Sequence, residues 1–287
     1  MSAGAEVPEE PELTLHPRVV CSTISFRRHP LDRALSLINE LGFRAIDLGA
    51  LPGVCDHVPY ELTTAAVSEV AATIAASGLA VRSINADVGD LNRVVDVDGA
   101  AEREAHLAQL FDLAQQVGAP AIVLPCGAPS HEPLQDLRTD IGLVADSLRH
   151  AAKQAVSHGL EIWVESQHSG RLCWNLERTQ QLTTALTGSG VRAVLDLSHV
   201  VASGDDILTW IDRLAPEIAH VHLRDARRGD IHLTPGSGDV DFAAALHALA
   251  DRGYTGDYSL ELETADVTED ERPATARRAG EFISSLL

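Results

Sequence analysis

Four side chains of the kinds that bind divalent cations recur at separated points in the second half of the chain: Glu165 in WVES, Asp196 in LDLSH, His222 in HVHLRD and Glu261 in YSLELE. Each stands at or near the end of an apolar run, so each is expected at the C-terminal end of a strand. A lone carboxylate there is usually a cap for the next helix, and a lone histidine a hydrogen-bonded structural group. Caps have no reason to recur on four successive strands. Three carboxylates and one imidazole form a hard, oxygen-rich donor set, which suits Mn2+ best, with Mg2+, Co2+ or Zn2+ as alternatives. Such an ion, holding two adjacent oxygens of a hydroxy-ketone or hydroxy-aldehyde, would polarise the carbonyl and stabilise an enediolate. Glu165 and Glu261 approach from different strands and form the expected acid/base pair. Returning the proton to the opposite face of the same carbon gives epimerisation, and to the neighbouring carbon isomerisation. Because alternate strand residues share a face, His220 pairs with His222 and Glu263 with Glu261. We assign His222 and Glu261 as ligands and their partners as structural, with Glu263 the alternative to Glu261.

These residues need a frame that gathers distant strand ends. From Arg18 onward the chain repeats an apolar run, a polar loop, an amphipathic helix and often a glycine before the next run. Gly42, Gly78, Gly118, Gly159 and Gly253 fall where a left-handed helix terminus is needed. Strands are expected near 19–26, 45–50, 80–86, 121–126, 160–166, 191–197, 218–224 and 257–263, with Asp47 and Asn85 ending the second and third. The stretches DVDGAAERE and SHEPLQD read as acidic starts of the third and fourth helices. Eight strands, each followed by a helix, predict an α/β fold, a single (β/α)8 TIM barrel over residues 17–287. Residues 1–16, Pro- and Glu-rich, predict a short flexible acidic tail. An open doubly wound sheet is the alternative, but RRHPLDRAL after the first strand lacks the G-x-G-x-x-G turn.

A formal net charge of -20 opposes nucleic acid and anionic membranes as partners. No apolar run approaches the ~20 residues of a membrane span, and the N-terminus lacks signal-peptide order, so a cytoplasmic location is expected. Cys21, Cys55, Cys126 and Cys173 show no C-x-x-C spacing and predict reduced thiols. The single lysine, Lys153, lies mid-helix, which argues against Schiff-base chemistry.

In their order and spacing, WVES, LDLSH with its D-x-x-H pair of Asp196 and His199, HVHLRD, PGSGDVDF and YSLELE resemble the xylose isomerase-like barrel superfamily over roughly residues 18–285. That group comprises sugar and sugar-phosphate isomerases and epimerases, inosose and dehydroshikimate dehydratases, and AP endonucleases of the endonuclease IV type. The resemblance implies the same four ligands and places Glu165 and Glu261 as the acid/base pair of ketose 3-epimerases. It also implies that His199 contacts substrate oxygens and that Arg228, six residues after His222, stands near the reacting hydroxyls. Where those epimerases carry a second glutamate six residues after the first, this chain has Arg171, which would suit a carboxylate or phosphate. In the endonuclease IV group, Asp230 and His232 would join His199 at an extra metal, and His57 would be a ligand. Asn85 or its neighbours replace the histidine that group needs after strand three. His57, Asn85 and His232 complete the expected substrate-binding set. Arg227, Arg228 and the PGSG loop are a candidate phosphate cradle. The expected activity is a metal-dependent isomerase or epimerase of a small carbohydrate, with a dehydratase as the nearer alternative, a DNA repair hydrolase as the more distant one, and a homo-oligomer as the expected assembly.

Overall fold

The computed structural model describes residues 14–287. Eight parallel strands close into a barrel: β1 (Val19–Ser22), β2 (Ala45–Ala50), β3 (Ala80–Ala86), β4 (Ala121–Pro125), β5 (Glu161–Glu165), β6 (Arg192–Asp196), β7 (Ile218–Leu223) and β10 (Tyr258–Leu260). Each neighbours its predecessor, and β10 closes the ring on β1 through Val19 opposite Tyr258. The runs between the glycines are buried on both faces, as a parallel sheet wrapped by helices requires.

Helices α1 (Leu31–Glu40), α2 (Thr64–Ser77), α3 (Val97–Val117), α4 (Leu137–Ser157) and α5 (Leu176–Ala185) follow the first five strands. As the acidic starts predict, Asp96 caps α3 by accepting from the Gly99 N–H, and Asp136 caps α4 by accepting from the Thr139 N–H. Gly78 and Gly118 close α2 and α3 in the left-handed region, at φ 72° and 70°. Among the described residues, no helix is long and apolar enough to cross a membrane.

Three features depart from the expected pattern. The first strand ends at Ser22 and turns into a 3-10 segment over Thr23–Phe26, and the last ends at Leu260, so Glu261 stands just beyond it. β6 is followed by two helices, α6 (Leu197–Ser203) and α7 (Ile207–Leu214). A hairpin, β8 (Asp225–Arg227) with β9 (Asp230–Leu233), intervenes before α8 (Phe242–Asp251); α9 (Arg272–Ser284) ends the fold. The expected tail lies mostly outside the described residues, and its last residues are docked. Leu15 packs on the core and the His16 N–H donates to Ser284 Oγ at 2.8 Å.

The PGSG loop is not a phosphate cradle. The buried Asp225 carboxylate already accepts from the N–H groups of Gly236 (2.8 Å), Gly238 (2.9 Å), Val240 (3.1 Å) and Ala226 (2.8 Å). The loop closes so tightly on that carboxylate that a Cβ at Gly238 would lie 2.3 Å from Asp225 Oδ1. Asp225→Ala should strand these donors and cost about 3 kcal/mol of stability. A urea midpoint equal to that of the parent protein would remove Asp225 as the organiser of this loop.

Candidate metal centre

β5 and β6 end on Glu165 and Asp196, β7 presents His222, and the chain leaving β10 presents Glu261, so four neighbouring segments aim at one point. All four side chains are buried, and one ligand atom of each lies within 4.8 Å of the others. His222 Nδ1 stands 3.7 Å from a Glu165 oxygen and 3.7 Å from a Glu261 oxygen. Glu263 lies outside the group and pairs instead with Arg27 (2.5 Å) and Arg224 (2.6 Å).

Asp196 serves two purposes with two oxygens. Its Oδ1 caps α6, accepting from the Ser198 N–H at 2.7 Å and the His199 N–H at 3.3 Å. Its Oδ2 is buried without a hydrogen-bond partner. His222 Nδ1 is likewise buried and unsatisfied. Such atoms are costly inside a protein unless an ion or a ligand takes them up. An unsatisfied carboxylate oxygen and imidazole nitrogen, gathered with two further carboxylates, fit a divalent cation.

The charges in the cluster respond to one another. Burial pushes the Glu261 carboxyl up to about 7, against the pull of His222 and Arg224. Burial also opposes ionisation of Glu165, but His168, His199 and His222 outweigh it and hold that carboxyl well below its usual range. Burial alone would favour neutral His222, yet Glu261, Asp47 and Glu165 raise its pKa well above the ordinary value. His168 and His199 are both pushed down to about 3, chiefly by burial.

Asp47 does not end its strand. It lies inside β2, beneath the cluster, where its Oδ2 accepts from His220 Nε2 at 2.6 Å and faces His222 Nε2 at 3.5 Å. That arrangement leaves Nδ1 of His222 to face the centre and sets the Asp47 charge beside the ring's far nitrogen. Trp163 stacks on His220 with ring centroids 5.4 Å apart. Asp47→Asn should therefore weaken metal affinity by about 10- to 100-fold with the four ligands intact. Titration of the metal-free variant with Mn2+ measures this, and an unchanged affinity would reduce Asp47 to a packing role.

A cavity of 420 Å³ opens over the cluster, lined among others by Asn85, Glu165, His168, Arg171, His199, Arg224, His232 and Glu261. Asn85 donates to Glu261 Oε1 at 3.1 Å. His199 points Nε2 toward Glu165 and Asp196, at 3.8 Å from each. Arg171 reaches the cavity wall but is bound to Asp87 (2.9 Å) and the Gly127 carbonyl (2.8 Å), so no phosphate is needed to satisfy it. His232 sits at the rim with Nδ1 3.3 Å from the Glu263 carbonyl oxygen.

Three expected site residues lie elsewhere. His57 is buried away from the cavity, its nitrogens against Cys55 Sγ and the His29 carbonyl. Arg228 is exposed on the turn of the hairpin and lies against Gly204, the residue that caps the end of α6. Asp230 is exposed and accepts from the His232 N–H. Neither Asp230 nor His232 belongs to any cluster of potential metal ligands among the described residues; His199 instead clusters with Glu165 and His168.

Two residues at the site escaped the sequence reading. Arg224 is buried, with Nη2 3.6 Å from Asp196 Oδ2 and Nε donating to Ser198 Oγ at 3.3 Å. It follows His220 and His222 on alternate positions of the same run, a parity that marks it as inward-facing. His168, three residues beyond Glu165, carried no signal of its own.

Comparison with known proteins agrees with this frame. The chain aligns with an inosose dehydratase of Mesomycoplasma hyopneumoniae at 26% identity over 167 residues, which is 50% of this chain and 54% of that protein. The chain thus spans about half the length of the curated relatives it matches. A 3-keto-D-glucoside 4-epimerase from E. coli superposes with a TM-score of 0.75 at 20% identity, covering 94% of this chain and 100% of that one. The zinc-bound IolI protein superposes with a TM-score of 0.75 at 18% identity, covering 93% and 98%. At those identities the likeness is one of fold. The profile of the xylose isomerase-like TIM barrel family matches residues 35–286. With a match running from the first helix to the last residue but one, the chain belongs to the xylose isomerase-like TIM barrel family.

Proposed function

We propose that the protein is a divalent-metal-dependent epimerase or isomerase acting on an uncharged polyhydroxylated carbonyl compound. The observation that carries this reading is the convergence of Glu165 and Glu261 with Asp196 and His222 on one buried point at the floor of the cavity. Glu165, Asp196, His222 and Glu261 would hold the ion, Mn2+ by the hardness of the set. When bound, it supplies Lewis-acid polarisation of a substrate carbonyl. Glu165, whose carboxyl lies well below its usual range and faces His222 at 3.7 Å, is the group that takes a proton from carbon. Glu261, which approaches from a different strand and whose Oε1 Asn85 holds in place, is the group that would pass a proton back to carbon.

The charge around the cavity supports a neutral substrate. Arg27 and Arg224 are paired with Glu263, and Arg171 with Asp87. Arg27 and Arg224 share Glu263, with Arg224 also facing Asp196 at 3.6 Å, so each guanidinium already has a carboxylate neighbour that a phosphate or carboxylate ligand would have to displace. The same pairing, with the chain's net charge of -20, weighs against a nucleic acid substrate.

A dehydratase is the second reading, favoured by the inosose dehydratase among the sequence relatives. It begins with the same proton abstraction and differs in expelling a β-hydroxyl, to which Glu261 could give its proton. The experiment is elemental analysis followed by a screen of ketoses and inososes, each beside its phosphate ester, with an abasic-site duplex as control. Exchange of the substrate C–H with solvent and formation of an epimer support the first reading, and loss of water the second. Turnover of phosphate esters alone, or nicking of the duplex, would overturn both.

A further inference from the structure

We propose that His168 and His199 form a pair of neutral imidazole donors, both presenting an Nε2–H to a substrate oxygen above Glu165, which makes His168 an additional catalytic residue. The proposal rests on the reading of the site as one that acts on a carbonyl compound, and it extends that reading to residues outside the ligand set.

The argument begins with hydrogen bonds made by the far side of each ring. The Ser169 backbone N–H points at His199 Nδ1 at 3.2 Å, and Ser169 Oγ lies 3.0 Å from the same nitrogen. The Gly170 backbone N–H points at His168 Nδ1 at 3.1 Å. A backbone N–H can only donate, so each Nδ1 must carry its lone pair. A ring with an unprotonated Nδ1 has its proton on Nε2 and is uncharged. Two consecutive amides of one turn thus set the same tautomer in both rings.

The two Nε2 atoms then act as donors at the cavity floor. His199 Nε2 stands 3.8 Å from Glu165 Oε1 and 3.8 Å from Asp196 Oδ2, and His168 Nε2 stands 3.8 Å from Glu165 Oε2. Those separations are too long for hydrogen bonds. The rings lie side by side with centroids 3.8 Å apart, and both line the cavity, His168 with a quarter of its side chain exposed. An oxygen entering above Glu165 would meet two N–H groups where a carboxylate now faces them. A neutral imidazole is suited to that task, because it stabilises negative charge developing on oxygen without surrendering its proton beforehand.

The same three residues could instead be read as a second cation site, since their ligand atoms lie within 4.8 Å of one another. A cation there would need the lone pairs on Nε2, and the amides of Ser169 and Gly170 assign the lone pairs to Nδ1.

Nitrogen-15 spectra of the imidazoles in the full-length Mg2+-loaded protein test the tautomers. For both residues Nε2 should resonate as protonated and Nδ1 as unprotonated. Elemental analysis should give the same single-ion stoichiometry in the parent and in His168→Phe. On a substrate found by the screen, His168→Phe should lower kcat/KM by about 10²-fold, mainly through kcat, while His168→Gln, which keeps a donor, should lose less. An unprotonated Nε2 in either ring, or a second ion lost in His168→Phe, would overturn the proposal even in an active enzyme. So would unchanged kinetics in His168→Phe. Absence of turnover in the parent protein on every carbonyl compound would defeat the underlying reading instead, and the spectra would still report the tautomers.

Discussion

Glu165→Gln should lower kcat by at least about 10²-fold while leaving the barrel folded. Glutamine keeps the size and shape of the side chain at the end of β5, so strand pairing from Pro125 to Glu165 and from Glu165 to Val194 is undisturbed. What disappears is the negative charge that faces His222 at 3.7 Å and His199 and His168 at 3.8 Å. The amide can neither accept a proton from carbon at neutral pH nor act as an anionic ligand, so base and ligand are lost together. Circular dichroism and a urea titration should match the parent, and steady-state kinetics should not. Near-normal rates in a variant shown to contain metal would remove Glu165 from the chemistry.

Stripping the metal with a chelator should abolish turnover, and Mn2+ should restore it. Because the ion binds the folded chain, metal at 1,000 times its Kd should add about 4 kcal/mol of stability, visible as a rise in Tm. Affinity should also depend on pH in a stated direction. Glu261, at about 7, and His222, raised well above its ordinary value, both hold protons that must leave before a cation is bound. Protons therefore compete below those values, and affinity should fall as pH drops through 7, by up to tenfold per unit for each proton displaced. Calorimetric titrations in buffers of different ionisation enthalpy count the protons released. A Kd that is flat between about pH 6 and 8, with no proton release, would contradict the assigned ligands.

The barrel was legible because its signals are local. A glycine after each of several helices, then a run of apolar residues, announces a strand wherever it occurs, and all eight strands formed within the expected runs, the first and last of them cut short. The four convergent residues were legible for the same reason, each lying at the end of such a run. Depth and partnership were not. Nothing in AIDLGA tells that the carboxylate of Asp47 sits below the site, because the strand continues three residues past it. Arg171 invites a phosphate until Asp87, 84 residues earlier in the chain, is seen to hold it. Arg227 and Arg228 read as a basic pair, yet they lie exposed at the end of β8 and in the turn after it, while Arg224 is buried beside the cluster. That hairpin has strands of three and four residues, too short to raise a periodic signal.

The first turn of α6 ties two parts of the site to one rigid body. The oxygen of Asp196 that caps the helix holds the other oxygen at the centre, and His199 rides on the same turn. Thermal displacement of this segment therefore carries both groups in unison, and the spacing between them is preserved where two independent loops would let it drift. A substrate oxygen seated between them would meet a gap of constant width, which sets tolerance for size at the reacting carbon more strictly than at the open rim.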